Sequence, residues 1–208
     1  MDLESVDWVL RTTRSVRRKI DYARPVEPEV IEACIEIATQ APTGRNAQAW
    51  RFLVITDAEK KRALGELYQR AFAHYAELRA ADPEAEPLKA TYRHLAENLH
   101  DMPVLILVCC EGRPESLALP QQVAFFGSVL PAAWSLMLAL RARGLGSTWT
   151  TLHLLLVQEA ARTLGIPESV TQTILLPVGY MRDAVLKPAE RHAPREVTYW
   201  NEWGAKRG

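Results

Sequence analysis

The chain has 208 residues, of which 48% are hydrophobic and 24% are charged, an ordinary globular composition. This length predicts one domain over residues 1–208 with a substantial buried core. Its 25 basic and 25 acidic residues cancel, which argues against a nucleic-acid-binding surface or an acidic substrate and fits a protein that buries surface in an oligomer.

The cysteines and the N-terminus place the chain in a broad class. Cys34, Cys109 and Cys110 have no spacing typical of a metal site or a disulfide framework, so we interpret them as buried, reduced thiols. The N-terminus lacks the basic start and apolar core of a signal peptide. No apolar stretch reaches the roughly 20 residues needed to span a bilayer. We therefore expect a cytoplasmic protein without a membrane segment.

Hydrophobic periodicity divides the chain into about four strands and six helices. Capping and breaking residues mark several boundaries, with Pro28 at a helix start, Asp57 as an N-cap and Gly165 after a helix end. In chain order, the predicted elements are a helix from Val6 to about Thr12, a helix from Pro28 to about Ala38, a strand at Trp50–Thr56, a helix at Ala58–Ala80, a helix ending near His100, a strand at Val104–Val108, a helix at Gln121–Arg143, an extended segment at Ser147–Thr151, a helix at Gln158–Leu164 and a strand at Thr173–Tyr180.

Two of these elements are apolar enough to be buried. The strand at Val104–Val108 is apolar without interruption, which predicts cover on both faces. The helix at Gln121–Arg143 is apolar nearly all round and should lie in a large core or against a partner. Within that helix, Pro131 should cause a fresh start or a kink. Together the elements predict an α+β or α/β fold with a central sheet.

The connection from the second helix to the first strand, Ala41–Trp50, is the most informative segment. A proline and a glycine break the helix, while Thr43, Asn46 and Gln48 supply hydroxyl and amide groups that donate and accept hydrogen bonds. This set of groups suits a polar, partly aromatic ligand better than a metal ion or a nucleophile. Taken alone, however, the segment is more typical of a simple helix-to-strand connection.

Arginines near the end of the first helix suit a phosphate group. The run Arg14-Ser15-Val16-Arg17-Arg18 sets guanidinium groups beside a hydroxyl, and a guanidinium fork matches phosphate oxygens in geometry. By itself, the run is more typical of a solvated basic patch. A binding site needs a further cation, for which Arg191 in the C-terminal tail is the leading candidate.

A second loop combines glycines with hydroxyl groups. Residues 144–151, Gly-Leu-Gly-Ser-Thr-Trp-Thr-Thr, lack both the GxGxxG spacing of a dinucleotide turn and the lysine of a P-loop. The segment either presents backbone N–H groups and an aromatic face to a flat ring or forms a plain helix cap before a strand.

Other chemistries find no support in the residues. The chain has no GxSxG elbow, and its histidines form no pair at metal-ligand spacing, so we expect no metal site. The helix around Tyr68, Phe72 and Tyr75 is more typical of a core or an interface, although it could also wall a substrate pocket.

Taken together, these segments resemble the FMN-dependent nitroreductase family over nearly the whole chain. Each motif is weak evidence alone, whereas five in the expected order and spacing are strong evidence. The motifs are Arg14-Ser15-Val16-Arg17; the pattern Ala-Pro-(Ser/Thr)-(Gly/Ser)-x-Asn-x-Gln-x-Trp at Ala41–Trp50; Pro103-Val104-Leu105; Gly-Leu-Gly-Ser at residues 144–147; and Pro177–Tyr180 with a Pro-x-x-Arg tail at Pro188–Arg191 before Tyr199-Trp200.

The resemblance implies an α+β, three-layer sandwich whose central, mostly antiparallel sheet is flanked by helices. It also implies an intertwined homodimer with FMN at the interface. The cofactor-binding residues that it implies are Arg14, Ser15 and Arg191 at the phosphate; Arg17 near the ribityl chain or pyrimidine edge; Pro42, Thr43 and Gly44 of the partner subunit along the isoalloxazine ring; Asn46 at the ring or ribityl chain, with Gln48 in the same motif; and Trp149, Thr150 and Thr151 flanking the ring, with a backbone N–H towards flavin N5.

The implied reaction is a ping-pong hydride transfer. NADH or NADPH reduces the flavin at N5 and leaves, after which a nitroaromatic, a quinone or a related electron-poor acceptor takes its place. This chemistry needs no side-chain acid or base, and Arg17 would stabilise the anionic reduced flavin. Arg45, Tyr68 and Phe72 are the candidate substrate-binding residues.

Alternatives stay open at this point. One is another flavin reaction, such as reductive dehalogenation, enone reduction or dehydrogenation; another is a non-catalytic protein that binds or sequesters FMN; a third is a structural dimer without cofactor. Thr13 stands where many family members have a second arginine, and Glu190 precedes Arg191, so both lower the expected affinity for FMN. Arg45 stands where a small or polar residue is usual, and it either meets the 2′-phosphate of NADPH or is a solvated loop arginine.

Overall fold

One antiparallel sheet separates two layers of helices in the computed structural model, which describes residues 2–207. The strands are β1 (Trp50–Ile55), β2 (Val104–Glu111), β3 (Leu145–Ser147) and β4 (Val170–Tyr180). The helices are α1 (Leu3–Thr12), α2 (Pro28–Ala38), α3 (Ala58–Ala80), α4 (Ala90–Asn98), α5 (Leu119–Ala142), α6 (Val157–Leu164) and α7 (Pro194–Val197), with 3-10 turns at Gly44–Asn46, Leu99–Asp101 and Leu152–Leu156. The strand order is β1-β2-β4-β3.

Strand β2 lies inside the sheet and is buried on both faces. Successive side chains of a strand point to opposite faces. Accordingly, Val104, Ile106 and Val108 belong to one hydrophobic core, whereas Leu105 and Leu107 belong to the other. Burying each side chain of this kind contributes about 1.5–3 kcal/mol. The prediction that this strand is covered on both faces is confirmed.

The two cores define three layers. Helices α2 and α5 pack on one face of the sheet, and α3, α4 and α6 pack on the other. The mostly antiparallel, three-layer α+β fold implied by the resemblance is therefore confirmed. Helix α3 begins as predicted, because the carboxylate of Asp57 accepts a hydrogen bond of 2.8 Å from the backbone N–H of Lys60.

Helix α5 corrects two expectations. It runs without interruption through Pro131, so of the fresh start or kink predicted there the fresh start does not occur. Its 24 residues include an 18-residue window of mean hydropathy 1.9, which meets the requirement for a membrane span by length and composition. The expectation that no segment is long enough was therefore wrong. In the structure, α5 packs against α2 and against every strand of the sheet, as a core helix does.

Pairing between distant strands moves the boundaries of β3 and β4 from their predicted positions. The extended segment expected at Ser147–Thr151 begins earlier, as β3 at Leu145–Ser147, and Thr150 then forms an isolated bridge with Leu175. Strand β4 also begins earlier than expected because β2 supplies a partner as far as Val170. The short helix α7 was not expected in the proline-rich tail.

Candidate functional site

A cavity of about 290 Å³ opens between α3, α4 and the segment that follows β3. Both helices contribute aromatic side chains to its wall, so we call it the aromatic cavity. Its lining residues are Arg17, Tyr68, Phe72, Tyr75, Tyr92, Leu95 and Thr148–Leu152.

The arginine-rich segment reaches this cavity by pairing with β3. The backbone N–H of Val16 donates to the carbonyl of Ser147 at 3.0 Å, and the hydroxyl of Thr148 donates to the carbonyl of Val16 at 2.8 Å. The close approach requires Gly146, because a Cβ there would lie 2.9 Å from side-chain atoms of Val16 and Ile20. The pairing holds Val16 in the core and brings Arg17 to the cavity wall.

Arg17 is the cation of the aromatic cavity. Its guanidinium lies over the ring of Tyr92, 4.8 Å from the centroid. Its Nε atom is buried and has no hydrogen-bond partner in the described chain. Burial lowers the pKa of Arg17, while the neighbouring Tyr92 and Tyr68 act in the opposite direction. The cavity wall therefore includes a guanidinium whose Nε is desolvated and has no acceptor within the described residues.

Two hydroxyl groups meet at the wall of the same cavity. The oxygens of Tyr68 Oη and Thr150 Oγ1 are 2.6 Å apart and buried. Burial raises the pKa of Tyr68, although the hydrogen bond to Thr150 and the charge of Arg17 lower it in part. The backbone N–H of Thr150 donates to Leu175 at 3.1 Å, so this N–H is not available to a ligand. The backbone N–H of Thr150 therefore cannot make the contact with flavin N5 that the resemblance implies for the segment Trp149–Thr151.

The first arginine has a partly structural role. Arg14 Nη1 donates to the carbonyl of Thr13 at 2.6 Å, and Nη2 donates to the carbonyl of Arg11 at 2.8 Å. Thr13 is buried, and its hydroxyl donates to the carbonyl of Val9 at 2.6 Å. Both side chains thus satisfy carbonyls at the end of α1. Ser15 is exposed beside them.

The loop Ala41–Trp50, which we call the α2–β1 loop, does not line the aromatic cavity of its own chain. The backbone N–H of Gly44 donates to Ser128 Oγ on α5 at 2.9 Å. Within the loop, the N–H of Gln48 donates to Thr43 Oγ1 at 3.2 Å, and Gln48 Nε2 donates to Asn46 Oδ1 at 3.0 Å. These polar side chains therefore shape the loop as well as offering groups to a ligand.

The α2–β1 loop has an unusual backbone. Arg45, Asn46 and Gln48 have φ angles of 53°, 54° and 50°, in the left-handed region that residues with a Cβ rarely adopt. At Gly44, an added Cβ would lie 3.6 Å from Ser128 Oγ, an ordinary contact. No close contact within the described residues therefore requires a glycine at position 44.

The structure brings together only part of the expected site. Arg17, Trp149, Thr150 and Thr151 line the aromatic cavity with Tyr68 and Phe72. The residues of the expected site that do not line it are Arg14, Ser15, Pro42, Thr43, Gly44, Arg45, Asn46, Gln48 and Arg191. In the described chain, the hydrogen bond of Arg191 is to the carbonyl of Glu190, and none joins it to Arg14 or Ser15.

Sequence reasoning missed the α4 wall of the cavity. Tyr92 and Leu95 on α4 line it, yet their helical spacing is equally that of core residues. Only the position of α4 across the cavity from α3 gives them their role. No group of three or more potential metal-ligating side chains occurs within residues 2–207.

The nitroreductase family model matches residues 10–180, from the end of α1 to the end of β4. Iodotyrosine deiodinase from Drosophila melanogaster is 30% identical over 187 residues, which cover 86% of this chain. The match spans 63% of that relative, less than two thirds of its length.

Solved structures share the same architecture. Oxidized iodotyrosine deiodinase bound to FMN and 3-iodo-L-tyrosine superposes with a TM-score of 0.68 at 25% identity, covering 89% of this chain and 94% of the other. The FMN-dependent nitroreductase of Mycobacterium smegmatis in complex with NADPH has a TM-score of 0.72 at 19% identity, covering 96% and 99%. At 19% identity, the second likeness concerns the fold alone.

Proposed function

The chain belongs to the nitroreductase family, as its motifs predicted, and from this premise we propose that it is an FMN-dependent oxidoreductase. In the proposed reaction, NADH or NADPH is the electron donor and an electron-poor compound, a nitroaromatic or a quinone, is the acceptor. The observation that carries the proposal is the aromatic cavity with the buried, unpartnered Nε of Arg17.

The residues of the aromatic cavity fit a flavin ring. Such a ring has flat apolar faces and an edge of hydrogen-bond acceptors. Phe72, Tyr92 and Trp149 supply flat surfaces, while Arg17 and the hydroxyls of Tyr68 and Thr150 supply donors. A buried donor without an acceptor costs about 1–3 kcal/mol, so a ligand that accepts from Arg17 Nε is bound more tightly for that reason.

We assign the phosphate end of FMN to Arg14, Ser15 and Arg191. A guanidinium carries five N–H donors, and Arg14 uses only part of this set on the carbonyls of Arg11 and Thr13. Ser15 is exposed next to Arg14. The backbone of Ser15 forms an isolated β-bridge with Ser147, which directly precedes the cavity-lining Thr148. Arg191 adds the second cation from the tail.

We also propose that two chains form a homodimer and that the α2–β1 loop of one completes the flavin site of the other. The loop lies on α5, outside the aromatic cavity of its own chain. Another face of α5 exposes Val123 (62%), Phe126 (37%) and Trp134 (40%). An exposed apolar patch of this kind is typical of an interface.

In this proposal, the protein contributes orientation and charge. When bound, FMN would supply the hydride chemistry between NAD(P)H and the acceptor. The aromatic walls hold the ring and exclude water, and Arg17 stabilises negative charge at its edge. A cytoplasmic location, where NAD(P)H is available, suits this reaction.

The experiment is an anaerobic reduction of the FMN-loaded protein. We expect NADH or NADPH to bleach the flavin absorbance, and a following panel of nitroaromatics and quinones to restore it. Protein that stays colourless after incubation with FMN would contradict cofactor binding. A bound flavin that neither nucleotide bleaches would instead support the alternative, a protein that stores FMN.

A second candidate reaction is reductive dehalogenation. The observation that favours it is the 30% identity to the Drosophila iodotyrosine deiodinase over 86% of this chain. Halogenated phenols and, separately, nitroaromatics added to the reduced protein test it, since released halide identifies dehalogenation and reduction of the nitro group identifies nitroreduction.

A further inference from the structure

Two hydroxyl groups in the aromatic cavity share a single hydrogen bond. Tyr68 Oη and Thr150 Oγ1 are 2.6 Å apart, and the two residues are 3% and 9% exposed. Each hydroxyl carries one proton. Because one proton lies between the two oxygens, the other is left for a different acceptor.

No second acceptor within residues 2–207 takes this proton. Within the described residues, neither the Tyr68 hydroxyl nor the Thr150 hydroxyl makes a hydrogen bond other than the one that joins them. The backbone of Thr150 is fixed independently, since its N–H donates to Leu175 at 3.1 Å and its carbonyl accepts from Leu175 at 2.9 Å. Both residues line the aromatic cavity, so the remaining proton is available there.

We infer that the Tyr68–Thr150 hydroxyl pair is a prepositioned hydrogen-bond donor for an acceptor atom on the edge of the flavin ring, with Tyr68 as the residue that positions the Thr150 proton. This inference rests on the proposed function. A phenol is a stronger acid than an aliphatic alcohol, so Tyr68 donates and Thr150 accepts. Accepting this bond polarises the hydroxyl of Thr150 and strengthens it as a donor.

The setting of the pair supports this role. Burial raises the pKa of Tyr68, which keeps the phenol protonated at neutral pH. Arg17 lines the same cavity and offers a charged donor. Donors directed at one edge of a flavin ring would stabilise the reduced flavin more than the oxidised flavin, because reduction adds electron density there.

The test compares Tyr68→Phe with wild type by two measurements on the FMN-binding protein, the dissociation constant of FMN and the midpoint potential of the bound flavin. We expect FMN to bind about tenfold more weakly. A tenfold loss of preference for the reduced form lowers the potential by about 30 mV in a two-electron couple. Tyr180→Phe is the matched control, because it removes a phenol hydrogen bond of the same 2.6 Å length, to Glu27, outside the cavity.

A double-mutant cycle with Thr150→Val separates positioning from simple packing. Tyr68→Phe should have little further effect on the potential once the Thr150 hydroxyl is gone, and Thr150→Ser should keep near-wild-type values. The inference is overturned if Tyr68→Phe changes the FMN dissociation constant and the midpoint potential no more than the Tyr180→Phe control does. It is also overturned if Tyr68→Phe has its full effect on the potential in the Thr150→Val background. Wild-type protein that does not bind FMN overturns the proposed function itself, whereas the other two outcomes leave that function standing.

Discussion

The aromatic cavity and the α2–β1 loop are the two halves of the proposed flavin site, and they are built in opposite ways. The cavity is partly open, lined by side chains from α3, α4 and the segment after β3, and held by hydrogen bonds within one chain. The loop is exposed and contains three non-glycine residues with positive φ. One half is thus preorganised by the chain itself, and the other suits completion by a second chain.

The strained backbone supports this division. A non-glycine residue in the left-handed region costs of order 1–3 kcal/mol and persists where surrounding structure or a ligand fixes it. The hydrogen bond of the loop to α5 runs from the backbone N–H of Gly44 to Ser128 Oγ, and none of the three residues with positive φ makes this bond. In the proposed dimer, contacts of the loop with the partner chain and FMN offset this cost.

The largest expected effect comes from separating the two halves. Trp134→Glu places a charge on the exposed apolar face of α5, where burying it against a partner costs several kcal/mol. We expect a monomer by light scattering at micromolar concentration and loss of bound FMN in the same sample. Leu78→Asp is the control, since Leu78 is also exposed (55%) but lies on α3.

A Trp134→Glu monomer that keeps FMN would contradict the shared site. A well-folded wild-type monomer at the same concentration would contradict the homodimer itself.

A smaller effect should follow from weakening the phosphate end. Arg14→Ala removes a charged donor worth about 1.5–3 kcal/mol, so we expect FMN to bind roughly 10–100-fold more weakly. Flavin content after gel filtration measures this loss. Arg18→Ala, at an exposed neighbouring arginine, should retain flavin. Equal flavin content in the two variants would contradict the assignment.

The cavity half should also weaken in acid. His153 follows the cavity segment, is 1% exposed, and burial lowers its pKa from 6.5 to about 4. Between these values the unfolded chain binds more protons than the folded chain, so stability falls as the pH falls through this range. The free energy of unfolding should drop by on the order of 2–3 kcal/mol between pH 7 and pH 4 from this residue alone.

Chemical denaturation across this pH range measures the slope for His153. His153→Gln should flatten it relative to wild type, while His74→Gln, at an exposed histidine, should not. An unchanged slope in His153→Gln would show that other groups cause the acid sensitivity.

The smallest expected effect lies in the loop half. Arg45→Gly removes the left-handed strain at φ 53°, and we expect a gain in stability of about 1 kcal/mol or less. Such a gain raises Tm by roughly 2–4 °C in a protein of this size. Arg45→Ala is the control, because alanine keeps the Cβ that causes the strain. Equal melting temperatures for the two variants would contradict strain at this position.

Much of the fold could be predicted from the sequence because its signals are local. The apolar run at Val104–Val108 predicts a doubly covered strand, and Asp57 predicts the start of α3; both are confirmed. The five ordered motifs predicted the family, which the match over residues 10–180 confirms. The expected boundaries of β3 and β4 were less accurate because pairing with a distant strand sets them.

The same distinction between local signals and long-range contacts applies to the candidate site. The sequence by itself determined which residue types are available, namely arginines near α1, amides in the α2–β1 loop and hydroxyls after β3. Only the tertiary structure decided that Tyr92 of α4 faces Arg17, that Tyr68 meets Thr150, and that the α2–β1 loop lies outside the cavity of its own chain. These contacts join residues far apart in the chain, so helical or strand periodicity, which reports only which face of an element is apolar, contains no information about them.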